Sequence, residues 1–235
     1  MEPQVRRVIA ASNASELAGS MIHSSIGGII TALASGAALI VSGISLWETS
    51  LKQPDLQFYL GNNLAYTRDP WGSDEVLVMP ITVTNSGARD GAVLSLELDL
   101  KNATTGAAGH FVSFYTADAS YFGSNDDVTA NKHRPKTPYS PIVVSGRTTF
   151  SGTVLFYPKA EKQKPVIDGK SDIEMTFHLV TTKPAGWVDE LLASAPPPIT
   201  VRAQVPNFLP GALNVGEFAR LRVIDSGPEK APEPK

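Results

Sequence analysis

The feature that most constrains this chain is one long apolar run near its start. The run "SSIGGIITALASGAALIVSGISLWE", 24–48, carries no charged residue before its last position. As an α-helix, the stretch from Ile26 to Trp47 would extend about 33 Å, slightly more than the roughly 30 Å hydrocarbon core of a bilayer. A buried helix of a small domain is normally shorter and shows a polar stripe. The run therefore predicts a transmembrane helix over 24–48, with the lipid bilayer as its surroundings.

A cleavable signal peptide is the alternative interpretation of this run, with "VSG" ending at Gly43 as a candidate cleavage site. Two features oppose it. The apolar part is longer than the usual 7–15 residues, and a tail of more than 20 residues precedes it. The favoured interpretation is an uncleaved signal anchor.

The charges around the run indicate its orientation. Arg6 and Arg7 precede it and Lys52 follows it, so the positive-inside rule favours a cytoplasmic N-terminus. We expect a single-pass protein of the cell membrane whose main domain is periplasmic or extracellular. The predicted segments are a cytoplasmic tail over 1–23, the span over 24–48, a juxtamembrane linker over 49–54, a β-domain over 55–225 and a disordered tail over 226–235.

Small residues recur at four-residue intervals in the run. Gly28, Ala32 and Gly36 would lie on one face of the helix, where they would permit the close approach of a second helix. This pattern predicts a helix-packing site for a protein partner or a second copy of the chain. A helix that stands alone in lipid is the alternative.

Composition excludes several classes of function. The formal net charge of −3 leaves no basic field with which to attract nucleic acid. The chain contains no cysteine, so it has no disulfide, thiolate nucleophile or metal–thiolate site. An exported domain without disulfides fits a bacterial envelope better than it fits small secreted animal domains, which are usually rich in them.

Beyond the run, the apolar period changes from that of a helix to that of a strand. In "VLVMPITVTN" and "VLSLELDL", apolar residues alternate, which predicts two strands with one buried face each. The predicted inward residues are Leu77, Met79, Ile81, Val83, Leu94, Leu96, Leu98 and Leu100. Pro80 cannot donate a ladder hydrogen bond, so its strand is predicted to lie at an edge or to be bulged.

Further strands are predicted in "LQFYL", "HFVSFYTA", "RTTFSGTVLFY", "DIEMTFHLVTT", "ITVRAQV" and "FARLRVI", and a helix only in "GWVDELLASA". Several short strands separated by Gly, Pro and Asn favour an antiparallel β-sandwich. The run "VLVMPITVTNSGARDGAVLSLELDL" resembles the strand–turn–strand passage of bacterial immunoglobulin-like domains, including those of the cell-adhesion-related type. The resemblance implies an immunoglobulin-like β-sandwich with a role in binding or assembly. It carries over no functional residue.

Motifs of catalysis are missing from the sequence. There is no G-x-S-x-G elbow, H-E-x-x-H helix, S-x-x-K pair or phosphate-binding loop. The four histidines are far apart in sequence, which favours isolated histidines over a metal site. We expect no catalytic residue, no metal and no cofactor.

The loop "YFGSNDDVTANKHRPKTPYSP", 121–141, is the best candidate for contacts with a protein partner. It combines adjacent oxygen donors with a cationic patch, although it lacks the spacing of a calcium loop. A long polar connection is the alternative. The candidate residues are Asn125, Asp126, Asp127, Lys132, His133, Arg134 and Lys136.

Together these features predict a membrane-anchored, non-catalytic binding or assembly module of the cell envelope. One alternative is an accessory subunit of a larger membrane complex, held through its transmembrane helix. A second is an anchored hydrolase or metal enzyme.

Overall fold

A computed structural model of the chain describes residues 31–69, 74–117, 136–161, 163–182, 196–209, 213 and 218–225. The chain divides into two compact units, Met1–Leu51 and Lys52–Lys235. The predicted helix "GWVDELLASA" and the predicted tail over 226–235 lie outside the described residues.

The described part of the first unit is one helix, α1, over Thr31–Leu51. None of its residues is buried, and it is long and apolar enough to cross a membrane. Its final turn, Trp47–Leu51, is π-helical, so the helix continues three residues beyond the predicted end at Glu48. The Thr49 hydroxyl donates to the Ser45 carbonyl oxygen at 2.7 Å within this turn. The first residues of the predicted linker over 49–54 are therefore helical.

The second unit is mainly antiparallel β-sheet, which confirms the predicted class. Its described strands are β1 Leu56–Leu60, β2 Ala65–Arg68, β3 Glu75–Asn85, β4 Gly91–Asn102, β5 Ala108–Ala117, β6 Thr137–Pro138, β7 Ile142–Val144, β8 Thr149–Pro158, β9 Ser171–Thr181, β10 Ile199–Val205, β11 Ala219–Arg220 and β12 Arg222–Asp225. Their order in the sheet is β11-β2-β3-β8-β5-β4-β9-β10-β12, with β1 also on β3, β6 on β5 and β7 on β4.

One short segment of the chain, which contains β11 and β12, links the two ends of the sheet. β11 pairs with β2, and β12, which follows it directly in the chain, pairs with β10. Between them, the Leu221 N–H donates to the Leu64 carbonyl oxygen at 2.8 Å. The sheet is consequently a nearly closed, barrel-like structure. The finer immunoglobulin-like sandwich architecture stays a prediction.

Two apolar clusters lie on opposite faces of the sheet. The main core takes alternate residues such as Leu77 and Met79 from β3 and Phe156 from β8. The residues between them, including Val78 and Leu155, belong to a second cluster on the other face. Strands that are buried on both faces read as continuous apolar runs. This explains why apolar and polar residues do not alternate in "VLVM" of β3 and "VLFY" of β8.

The predicted inward residues of β3 are all buried, as are Leu96, Leu98 and Leu100 of β4. The prediction for Leu94 is wrong, because its side chain is 41% exposed. The register of β4 against β9 shifts between Val93 and Ser95. A bulge of this kind inserts one residue and reverses which side chains face inward.

The prediction that Pro80 lies in an edge strand is also wrong. β3 lies inside the sheet, with β8 on one side and both β2 and β1 on the other. β2 pairs with β3 up to Val78, and β1 begins to pair at Ile81. Pro80 thus falls at the junction between two partner strands, where its missing N–H breaks no ladder hydrogen bond.

Asn85, at the end of β3, is fully buried, and its side chain makes four hydrogen bonds. Its Oδ1 accepts from the backbone N–H groups of Asp55 at 3.1 Å and Gly87 at 2.9 Å. Its Nδ2 donates to the carbonyl oxygens of Arg89 at 2.8 Å and Val144 at 3.0 Å. One side chain therefore links the start of β1, the β3–β4 turn and β7.

Replacing Asn85 by Ala is expected to destabilise the second unit by at least about 2 kcal/mol, because it leaves buried backbone groups without partners. Thr149→Ala is the matched control, since Thr149 is exposed on a neighbouring strand and its loss should change stability by no more than about 0.5 kcal/mol. Chemical denaturation followed by the β-sheet circular dichroism signal measures both variants. Equal stability of the two variants would contradict this role for Asn85.

Candidate functional site

The exposed face of β5, β4 and β9 carries two histidines that share one carboxylate. His110 Nδ1 lies 2.7 Å from Asp99 Oδ1, and His178 Nε2 lies 3.1 Å from Asp99 Oδ2. Asp99 accepts a hydrogen bond from both rings. The three side chains come from three adjacent strands, so the sheet itself fixes their spacing.

Two further charged groups extend this arrangement. Lys159 Nζ donates to Glu97 Oε1 at 3.2 Å and lies 3.5 Å from His110 Nε2. Glu97 Oε2 is 3.6 Å from the same His110 nitrogen. We refer to Glu97, Asp99, His110, Lys159 and His178 as the histidine–aspartate cluster.

Strand register explains how the cluster forms. Asp99 is directly opposite His110 on β5, and Glu97 is directly opposite His178 on β9. Because Leu98 and Leu100 point into the core, the acidic residues that alternate with them point outward. The prediction of isolated histidines is wrong for this pair, because His110 and His178 both contact Asp99. The alternation in "LELDL" indicated that Glu97 and Asp99 share an exposed face. The pairing of β4 with both β5 and β9 could not be predicted from the sequence.

The surroundings of Asp99 favour its charged form. The hydrogen bond from His110 is the largest cause that lowers the pKa of Asp99 below its usual range, while partial burial acts in the opposite direction. The hydrogen bond from His178 lowers the pKa further. Because the folded pKa is the lower one, this stabilisation is present above the unfolded pKa and is lost as pH falls through the folded pKa.

The cluster borders a shallow groove of about 470 Å³. Asp99, Lys101 and Glu174 line it with charge, and Ala108 and Gly109 form an apolar part of its lining. Within the described part of the chain, no three His, Asp or Glu side chains are placed to hold a metal ion. The arrangement can engage charged or hydrogen-bonding groups of a partner.

A second ionisable group, Glu75, is only 3% exposed. Its carboxylate accepts from the backbone N–H groups of Val166 at 2.7 Å and Ile167 at 2.8 Å, and from the Tyr66 hydroxyl at 3.0 Å. Burial raises the pKa of Glu75, although these hydrogen bonds oppose the shift. Burial also raises the pKa of Tyr66. Glu75 anchors the 166–167 segment and offers no open site.

The predicted helix-packing residues are only partly described. Ala32 and Gly36 lie on α1 and are exposed, while Gly28 lies outside the described residues. Among the residues that the structure describes, a side chain added at Gly36 would meet nothing within 4 Å. This face of α1 is therefore open to another helix.

Of the candidate contact residues in the predicted loop, only Lys136 is described, and the Thr137–Pro138 part of that loop is strand β6. Asn125, Asp126, Asp127, Lys132, His133 and Arg134 lie outside the described residues. Lys136 Nζ donates to the Tyr157 hydroxyl at 3.1 Å and lies 5.7 Å and 5.9 Å from the ring centroids of Tyr115 and Tyr157. These are contacts within the chain, so Lys136 contributes to its own domain.

Comparison with known proteins adds little. No family model matches the chain, and no curated protein matches it. Among solved structures, the "Putative ApaA Protein from Bordetella pertussis" matches 65% of this chain and 92% of its own chain, at 15% sequence identity and a TM-score of 0.29. That likeness is too weak to assign a fold or a function.

Replacing His110 by Ala should move the pKa of Asp99 upward, towards its ordinary value, and His178→Ala should move it less. The difference arises because His110 provides the shorter hydrogen bond. Carbon-detected NMR titration of the labelled Asp99 carboxyl group measures both shifts. A larger effect from His178→Ala, or none from either variant, would contradict the assigned geometry.

Proposed function

We propose that this protein is a single-pass, membrane-anchored β-domain that acts as a non-catalytic binding or assembly module at the cell envelope. Helix α1 carries this proposal. It has 21 residues, an apolar composition and no buried residue. A helix of this length spans roughly 31 Å, which matches the hydrocarbon core of a bilayer.

The apolar side chains of α1 need surroundings other than water. Leu33, Leu39, Ile40, Val41 and Ile44 are each at least 60% exposed. A contiguous exposed apolar surface of this kind marks a membrane or protein contact. Insertion into lipid satisfies both these side chains and the helix backbone, whose hydrogen bonds are internal.

The end of α1 fits a membrane interface. Trp47, in the last turn, is 40% exposed, and its ring can lie among headgroups with its N–H hydrated. The basic residues Arg6 and Arg7 precede the helix, which supports a cytoplasmic N-terminus and a periplasmic or extracellular β-domain.

The β-domain supports a binding role through its exposed faces. Its polar groups, including the histidine–aspartate cluster, stand on the surface of a rigid sheet. For its fine architecture we propose the immunoglobulin-like sandwich that the β3–β4 passage resembles. The antiparallel pairing and the buried inner face of both strands support this proposal.

Replacing Leu39 and Ile40 together by Arg should move the protein from the membrane to the soluble fraction or block its export. Each arginine near the centre of a span costs about 2.5–3.5 kcal/mol on the scale derived from insertion experiments. Fractionation of cells that express the full chain, followed by immunodetection, measures the change.

The matched control places two arginines on exposed apolar residues of the second unit, Leu209→Arg with Ile224→Arg. This control should remain in the membrane fraction. The anchoring proposal fails if the wild-type chain is recovered in the soluble fraction without detergent.

A second candidate function is that of an accessory subunit of a larger membrane complex, held through α1. The open surface at Gly36 favours it, since small residues allow helices to pack closely in lipid.

Gly36→Ile, alone or with Gly28→Ile, should then reduce recovery of a partner or second copy after crosslinking in intact membranes, because the larger side chain keeps the helices apart. Ala34→Ile is the control, since Ala34 is exposed on α1 and lies about 200° around the helix from Ala32, on the opposite face. Unchanged recovery in the Gly28 and Gly36 variants would contradict the subunit function.

A further inference from the structure

We propose that the outer face of β1, β3 and β8 binds a neutral glycan. The proposal rests on the proposed function for its location at the envelope, and it names the class of ligand. We call this surface the hydroxyl face. It consists of Gln57, Tyr59, Thr82, Thr84, Thr149 and Ser151.

Strand register places these side chains in two parallel rows. Gln57 is opposite Thr84, which is opposite Thr149. In the next row, Tyr59 is opposite Thr82, which is opposite Ser151. The residues between them, such as Phe58 and Val83, point into the core and hold the rows in place.

The hydroxyl groups of each row are paired across the strands. Thr82 Oγ1 lies 3.1 Å from Ser151 Oγ, and Thr84 Oγ1 lies 3.2 Å from Thr149 Oγ1. A hydroxyl group offers one donor and two acceptor positions. Within each pair, one hydroxyl donates to the other. The second hydroxyl can therefore still donate to a ligand, and both oxygens can still accept. Sugar hydroxyls have the same mixed chemistry and can use both.

Tyr59 adds an aromatic surface to these hydroxyls. Its side chain is 52% exposed, and its hydroxyl donates to Gln57 Oε1 at 2.7 Å. This hydrogen bond restrains the ring on the sheet. A restrained aromatic ring offers a large apolar surface at low entropic cost, and the C–H face of a sugar ring can pack against it.

The hydroxyl face differs in charge from the exposed face of β4 and β9. None of the six residues of the hydroxyl face is charged, although the exposed Asp55 lies beside it and hydrogen-bonds to Ser86, whereas the face of β4 and β9 carries the histidine–aspartate cluster. An anionic ligand would lose hydration on the hydroxyl face without gaining an ion pair from these six residues or from Asp55. This argues against nucleic acid, anionic lipid and acidic peptides, and it favours an uncharged polyhydroxylated ligand.

A groove continues the surface beyond β8. Its volume is about 430 Å³, and Ser151 belongs to both the groove and the hydroxyl face. The described lining adds the hydroxyl-bearing residues Thr116, Ser140 and Thr153 together with Phe150, and contains no charged side chain. The groove thus repeats the combination of hydroxyl groups and an aromatic ring. Together the two surfaces suit several linked sugar units better than a single sugar.

The test is binding of the purified full-length protein to insoluble neutral polysaccharides, namely cellulose, chitin and a β-1,3-glucan. The detergent must carry no sugar headgroup, since such a headgroup could occupy the face. We expect at least one polysaccharide to retain the protein. Tyr59→Ala should weaken retention roughly tenfold, as for a central aromatic contact, while Tyr59→Phe should keep most of it.

Phe114→Ala is the matched control, because Phe114 is as exposed as Tyr59 but lies on a different strand, β5. It should bind like the wild type, and circular dichroism should show that all variants fold. No retention on any neutral polysaccharide, equal retention by Tyr59→Ala, or salt-sensitive retention on dextran sulfate alone would overturn the proposal. Membrane fractionation of the same wild-type protein reports on anchoring separately, so failure of one proposal is distinguishable from failure of the other.

Discussion

The β-domain depends on the segment that carries β11 and β12. This segment pairs with β2 near one end of the sheet and with β10 near the other. An open sheet leaves rows of unpaired N–H and C=O groups at its edges, and such edges invite pairing with other chains. Here one continuous stretch, 219–225, pairs first with β2 and then with β10. The inner face of the nearly closed sheet holds the main core, and the exposed parts of the outer face carry the polar side chains.

Buried polar side chains fix the ends of the strands in this nearly closed sheet. Asn85 ties three segments together at one end of β3, and Glu75 holds the 166–167 segment at its other end. Asn102, at the end of β4, does the same for its own turn and for Val166. Because buried groups of this kind are costly when unpaired, they specify which loops meet. The two exposed faces therefore stand on a fixed framework.

Local pattern was enough to predict much of the fold. The alternation in β3 identified the residues of its inner face but missed the buried Val76 and Val78 of its outer face, and "LQFYL" was predicted with the bounds that β1 has. The failures lie where distant segments decide the outcome. A register shift against β9 exposes Leu94, and the junction of β2 with β1 accommodates Pro80 inside the sheet.

The candidate sites also depend on strand pairing between distant segments, which the sequence did not reveal. Each residue of the histidine–aspartate cluster was visible in the sequence, but strand order alone brings Asp99 between two histidines 68 positions apart. The hydroxyl face likewise requires the pairing of β1 and β8 with β3. Only the apolar helix, whose character is local, could be predicted from the sequence as a candidate functional element.

Anchoring by that helix is the central proposal, because it would decide which compartment the β-domain occupies. The most direct measurement is alkaline carbonate extraction of membranes from cells that express the full chain, with the intact mass of the protein determined from the pellet. We predict that the protein stays in the pellet with residues 24–48 still present. A protein released into the supernatant, or one that begins after Gly43, would contradict the account.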